Sequence, residues 1–96
     1  MLISTVNPPR RYEIVDTIFV LHGAEAGGFL GGEGINIDLA FEEVKALLAE
    51  KAASMGANAV IGCDFEQRIA VSSGGWADKQ VLEIFAYGTA VILLDT

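Results

Sequence analysis

Cysteine occurs once in these 96 residues, and so does histidine. One thiol cannot form an internal disulfide, which points to a reducing cytoplasm as the compartment. Cys63 and His22 together also fall short of the three or four nitrogen or sulfur ligands that zinc takes, so one chain cannot build an ordinary zinc site. Basic side chains are scarce: six stand against thirteen acidic ones, for a net charge of −7. A phosphate backbone would be repelled over most of such a surface, which excludes nucleic acid as a partner. Arg10 and Arg11 form the only basic pair, and beside Pro8 and Pro9 they read as a solvated loop. Long apolar runs are lacking as well. Asp16, Thr17, Glu83 and Gly88 interrupt the longest, so none reaches the roughly 18–20 residues that cross a bilayer. The first residues also lack the charged, apolar and small-residue order of a signal peptide, and neither membrane nor export is expected.

Apolar residues are abundant: 52% of the chain is hydrophobic and 20% charged. Residues 1–96 make a single domain, and one this short buries only about two thirds of its unfolded surface. More apolar material is present than so small a body hides, which predicts contact with further copies of the chain.

Asn7, Pro8 and Pro9 limit any strand near the N-terminus to a short one at a sheet edge. Tyr12–Leu21, rich in β-branched and aromatic residues, reads as the first long strand. Six of the fifteen residues His22–Asn36 are glycine, too many for a regular element, and this stretch reads as a loop. Asp38 then offers an N-cap oxygen, and Glu42 and Glu43 suit the first turns. Phe41, Val44, Leu48, Ala52 and Met55 recur at helical spacing, with Ala40 and Leu47 widening the stripe, and Gly56 supplies a left-handed stop. Ala59 to about Ala70 forms a second strand and Gln80–Leu93 a third, joined as an antiparallel hairpin through Ser72–Gly75 and its neighbours. Gly88 in the middle of the third strand predicts a bend or a close backbone approach. That strand is long enough for its far end to leave its own sheet.

Side chains two apart share a face of a strand. Parity therefore groups Ile61, Cys63 and Phe65 with Leu82, Ile84 and Ala86 beneath the helix, and makes Cys63 a core residue, since a nucleophile or ligand must ionise readily. The other parity holds Val60, Gly62, Asp64 and Glu66 opposite Val81, Glu83, Phe85 and Tyr87. Asp64, Glu66 and Glu83 are accordingly the candidate metal ligands. An all-oxygen set would suit a hard divalent cation such as calcium or magnesium, although no EF-hand spacing is present. The structural alternative is a row of solvated acids. His22 reads as a strand-end histidine with a hydrogen-bonded ring, and it joins Cys63 as a secondary ligand candidate only if copies pool their side chains. The glycine-rich segment 23–34 lacks the lysine and Ser/Thr of a phosphate loop, while Glu33 and Asp38 would repel an anion. Its Gly27–Gly32 portion reads as an ordinary loop or a flap with an apolar tip. Trp76, in the hairpin loop, suits packing on the sheet or an interface.

The segments "GANAVIGCDFE" and "LEIFAYGTAVIL", together with "ISTVNPPRRYEIVDTIFVLHGAE", resemble the YbjQ-like family, small bacterial and archaeal domains that carry a heavy-metal-binding label. The match runs through Gly56-Ala57-Asn58-Ala59-Val60-Ile61-Gly62 and Gly88-Thr89-Ala90-Val91. The resemblance implies a β-α-β-β subunit assembled as a ring-shaped homopentamer, with extra short strands bridging neighbours. Where family members often carry a longer charged and aromatic segment, this chain has "GGFLGGEGINI", and whatever that segment does elsewhere does not transfer. The expectation is an α+β domain with one helix on a small sheet, serving as a cytoplasmic oligomeric binding or assembly module without catalytic activity or a cofactor. The alternatives are metal binding by ligands pooled between copies and, less favoured by the scattered acids and lone histidine, an enzyme that uses the glycine-rich segment as a lid.

Overall fold

The computed structural model describes residues 1–25, 34–72 and 79–95. The elements run β1 (Leu2–Ile3), β2 (Tyr12–Glu25), α1 (Ile37–Ser54), β3 (Ala59–Ser72) and β4 (Lys79–Leu93). The strands form one sheet in the order β1-β3-β4-β2. β4 is antiparallel to both long neighbours, and β1 lies parallel to β3 through Leu2 opposite Ala59 and Ile3 opposite Val60. β2 and β3 therefore run in the same direction, joined across the sheet by α1 with β4 between them. This is the α+β arrangement expected, one helix on a small sheet.

Asn36, not Asp38, caps α1. Its Oδ1 accepts the Leu39 N–H at 3.0 Å from an extended backbone, and Asp38 falls inside the first turn. Both residue types can cap; Asn36 does so because Ile37 is already helical. At the other end the Ala57 N–H donates to the Ala52 carbonyl and the Gly56 N–H to that of Ala53, with Gly56 at φ +81°. This pair of bonds is a Schellman stop, and glycine supplies the left-handed backbone it needs. Asn58 then ties the incoming β3 to β4, accepting the Leu93 N–H on its Oδ1 at 2.7 Å. Ala40, Val44, Leu48 and Ala52 are buried, while Met55 is the C-cap and is exposed.

The simple alternation in β3 breaks at Gly62. Ile61 stands opposite Thr89 and Asp64 opposite Tyr87, so Gly62 and Cys63 share Gly88 as their partner. Gly62 has φ +60°, the left-handed residue of a glycine bulge. The extra residue reverses the side-chain parity. Val60 and Cys63, three apart, both join the core under α1, whereas Ile61 lies in a separate cluster with Ala59 and Val91, flanked by Tyr12 and Leu93. The expected grouping of Ile61 with Cys63 and Phe65 is corrected accordingly: Cys63 and Phe65 face the helix and Ile61 does not. Phe65 meets Phe41 of α1 edge to face at 5.9 Å.

Gly88 is the close approach its position predicts. A Cβ there would lie 2.8 Å from Val60 Cγ1, 2.9 Å from Cys63 Sγ and 3.2 Å from the Ile61 carbonyl. Two further expectations are corrected. β2 continues past Leu21 through His22 to Glu25, paired with β4 as far as Val81, because the glycines lie mostly beyond it. β4 does not leave the sheet: β2 and β3 are nearly as long as it is and flank it along its length. Val91, for the same reason, is buried within its own chain.

His22 meets Glu43 and Phe19 meets Lys51. Between these contacts the helix advances about 12 Å while β2 retreats about 10 Å, so the two lie nearly antiparallel. An 18-residue helix spans about 27 Å and a strand of 14 about 47 Å, and the strands therefore project beyond their cover. The molecule measures 57 × 19 × 19 Å with a radius of gyration of 16.2 Å, against about 12.5 Å for a compact chain of this length.

Replacing Gly88 with alanine should cost about 1–3 kcal/mol, since Val60, Cys63 and the Ile61 carbonyl must all give way. Urea unfolding at fixed protein concentration should show the midpoint falling with the slope unchanged; an unmoved midpoint would show that the strands do not approach so closely.

Candidate functional site

The sheet face turned away from α1 carries the candidate acids. After the bulge, Asp64, Glu66 and Arg68 of β3 stand opposite Tyr87, Phe85 and Glu83 of β4. Phe19 and Leu21 of β2 extend the same face beyond Tyr87 and Phe85. Phe19 and Phe85 have ring centroids 6.1 Å apart, and Phe85 and Tyr87 6.0 Å, so three aromatic rings form a track across two strands. Lys51 reaches from the helix to the sheet edge, placing its Nζ 4.7 Å from the centre of the Phe19 ring. Leu21, Glu66, Gln67, Arg68, Glu83 and Phe85 line a shallow groove of about 370 Å³ on this face.

Each acid has a different environment. Asp64 accepts the Tyr87 hydroxyl on Oδ2 at 3.0 Å and the Phe65 N–H on Oδ1 at 2.9 Å. Glu83 Oε2 accepts the Arg68 Nε–H at 2.9 Å and forms an ion pair with Nη2 at 2.8 Å. Glu66 stands between them opposite Phe85. Asp64 and Glu83 share the face as expected but lie two rungs apart, about 13 Å along the strands. Among the described residues no three of His, Cys, Asp and Glu come together as a metal group. Tyr87 is held above its ordinary value of 10.0, first by its hydrogen bond to Asp64 and then by that carboxylate's charge.

Cys63 and His22 lie elsewhere. Cys63 is buried at 5% exposure, its Sγ directed to the Val60 carbonyl at 3.8 Å. Burial pushes its thiol above the ordinary 9.0, partly opposed by the Ser4 backbone, which is the setting of a packing residue and not of a nucleophile. His22 lies within β2, opposite Ile84 on the helix face, not at a strand end. Its buried Nε2 lies 2.7 Å from Glu43 Oε2 of α1, a close contact between the ring and a carboxylate. One intervening strand, β4, and four residues of register separate it from Cys63. The Gly27–Gly32 flap and Trp76 lie outside the described residues.

The aromatic track and the Arg68 pairing escaped the sequence reading. Phe19, Leu21, Phe85 and Tyr87 alternate on one parity, which is a signal. Which acid meets which partner depends on register, which is not.

Residues 13–94 match the YbjQ_1 family model, described as "Putative heavy-metal-binding". Among solved structures, the chain is similar to a protein with unknown function of the DUF74 family from Pediococcus pentosaceus. The two are 20% identical with a TM-score of 0.76 over 98% of each chain, a likeness of fold. No curated protein matches the chain.

Asp64→Asn should bring the Tyr87 ionisation down toward 10.0 in an absorbance titration. With the folded value raised, the stability Tyr87 contributes is present below pH 10 and lost as pH rises through the folded value, so the variant should also flatten the alkaline fall in stability. An unchanged Tyr87 titration would show that the two groups do not interact. The Cys63 thiol should react with iodoacetamide at least about tenfold more slowly in the folded protein than in urea; equal rates would place it at the surface.

Proposed function

The chain belongs to the YbjQ_1 family, and from that premise we propose that it is a non-catalytic module that works as a homo-oligomer, a ring of five copies in the cytoplasm. The observation that carries this reading is the uncovered apolar surface. Phe19, Leu21, Phe85 and Tyr87 are exposed on one face of the sheet, and Ile69 and Val71 on the projecting end of β3. The accessible surface is 6358 Å², whereas a compact monomer of 10.2 kDa would show about 5,300 Å². The excess of about 1,000 Å² is comparable to the ~800 Å² each partner contributes to a stable interface. The ring of five rests on the family resemblance. A non-catalytic role is supported by the separation of His22 and Cys63 from each other and from the acids of the open face. No helix among the described residues is long and apolar enough to cross a membrane.

The family description favours a second reading, a metal ion held by ligands pooled between copies. Asp64, Glu66 and Glu83 are the donors on the exposed face, and an oxygen set suits hard cations. Soft heavy metals select thiolate, and the buried Cys63 is poorly placed to supply one.

Light scattering at micromolar concentration should give one species well above 10.2 kDa; a clean monomer overturns the first reading. Zinc, copper, nickel, calcium and magnesium should each be tested for a rise in melting temperature. Specific binding at a hundredfold excess over Kd adds about 2.7 kcal/mol, and no shift with any of the five disposes of the second reading.

A further inference from the structure

The open face of the sheet is a grid of three rows across three strands. Phe19, Tyr87 and Asp64 make the first row, Leu21, Phe85 and Glu66 the second, and Gly23, Glu83 and Arg68 the third. Phe85 stands at the centre, its ring centroid 6.1 Å from that of Phe19 and 6.0 Å from that of Tyr87. The groove of about 370 Å³ runs over Leu21, Phe85 and Glu66 to the Arg68–Glu83 pair. Charge on this grid does not balance. Asp64, Glu66 and Glu83 stand against Arg68 alone, three negative charges against one positive. Glu83 Oε2 occupies the guanidinium at 2.9 and 2.8 Å, and Asp64 accepts the Tyr87 hydroxyl at 3.0 Å. Glu66 faces neither a donor nor a cation among the described residues. The negative field extends over the rings. Tyr87 is held above its ordinary value first by the Asp64 hydrogen bond, then by the charge of Asp64, by burial and by the charge of Glu66. The fold already sets one ammonium over one of these rings, since Lys51 Nζ lies 4.7 Å from the centre of Phe19 while donating to the Phe19 carbonyl.

We propose that the groove over Phe85 binds a small organic cation, a primary ammonium on an unbranched alkyl stem, with its charge against the Glu66 carboxylate and its stem along Leu21 and the Phe85 ring. Such a ligand gives the binding module proposed above its chemical class, and the assignment rests on that reading. Glu66 and Phe85 are a directly opposed pair, whose Cβ atoms stand about 5 Å apart, so one ammonium reaches both the carboxylate and the ring face. Its N–H groups supply the charge-assisted donors that Glu66 lacks. Other ligand classes fit less well. An anion meets the excess of carboxylates, and Arg68, the one cation of the grid, is already engaged by Glu83. A bare metal ion finds no three donors together among the described residues. A neutral apolar molecule gains nothing from Glu66. The net charge of −7 draws cations toward the surface in general, and the rings select among them those with an apolar stem. Three strands of one chain complete the groove, so no second copy is needed to build it.

Amide chemical-shift titration of the full chain with hexylammonium chloride and with 1-hexanol, which share a stem and differ in charge, tests this directly. The amine should move the Leu21, Glu66 and Phe85 amides saturably, bind at least about tenfold more tightly than the alcohol, and weaken as salt is raised. Glu66→Gln should weaken the amine about tenfold and leave the alcohol unchanged. Phe85→Leu should weaken the amine about two- to fivefold. Glu50→Gln, the same loss of charge at an exposed residue of α1, should change neither. Equal affinity of the wild type for amine and alcohol, a comparison that needs no variant, overturns the site, and so does an amine affinity unmoved by Glu66→Gln. Absence of shifts in a sample that light scattering shows to be oligomeric also overturns the site and leaves the self-association standing. A monomeric chain that binds the amine at these residues upholds the site and overturns the self-association.

Discussion

Where Gly62 and Cys63 of β3 stand against Gly88 of β4, two residues oppose one, and any side chain at position 88 would press within 3 Å of Val60 and Cys63. Much of the fold follows from that contact. The bulge turns β3 over, so that Val60 and Cys63 fill the core beneath α1 while Asp64 and Glu66 are delivered to the open face. It also directs the Cys63 N–H away from β4 toward Ser4, which ends the pairing of β1. Cys63 is the small, apolar residue this crowded point accepts. A larger side chain would have to displace Val60 or the β4 backbone.

Features that depend on local period or on a single backbone requirement were legible in the sequence. The buried stripe Ala40, Val44, Leu48 and Ala52 follows from helical spacing, Gly56 from the need for positive φ, the hairpin from a short connection, and Gly88 from the absence of a side chain mid-strand. What was not legible depends on counting across strands. A bulge inserts one residue and leaves no periodic trace, so strict alternation puts Ile61 on the wrong face. Asn36 and Asp38 are equally good caps in isolation, and only the start of the helix at Ile37 separates them. β2 runs on through His22 because β4 offers it a partner as far as Val81, a long-range fact that the glycine content of the segment obscures.

The candidate site divides in the same way. Parity places Asp64, Glu66 and Glu83 on one face, and they share it. Register decides that Asp64 meets a tyrosine hydroxyl and Glu83 an arginine, and so turns three like charges into two engaged acids flanking a third. The face is a mixed surface of aromatic rings, two paired acids and Glu66, and among the described residues it gathers no three metal-ligating side chains.

A body three times longer than it is wide does not tumble equally about all axes. In the isolated chain, rotation about the long axis outpaces end-over-end motion. Ladder N–H bonds lie across the strands, whereas those of α1 lie along a helix nearly aligned with β2. Equally rigid amides in sheet and helix would thus differ in nuclear spin relaxation through orientation alone, a contrast that a more isotropic assembly of several copies would diminish.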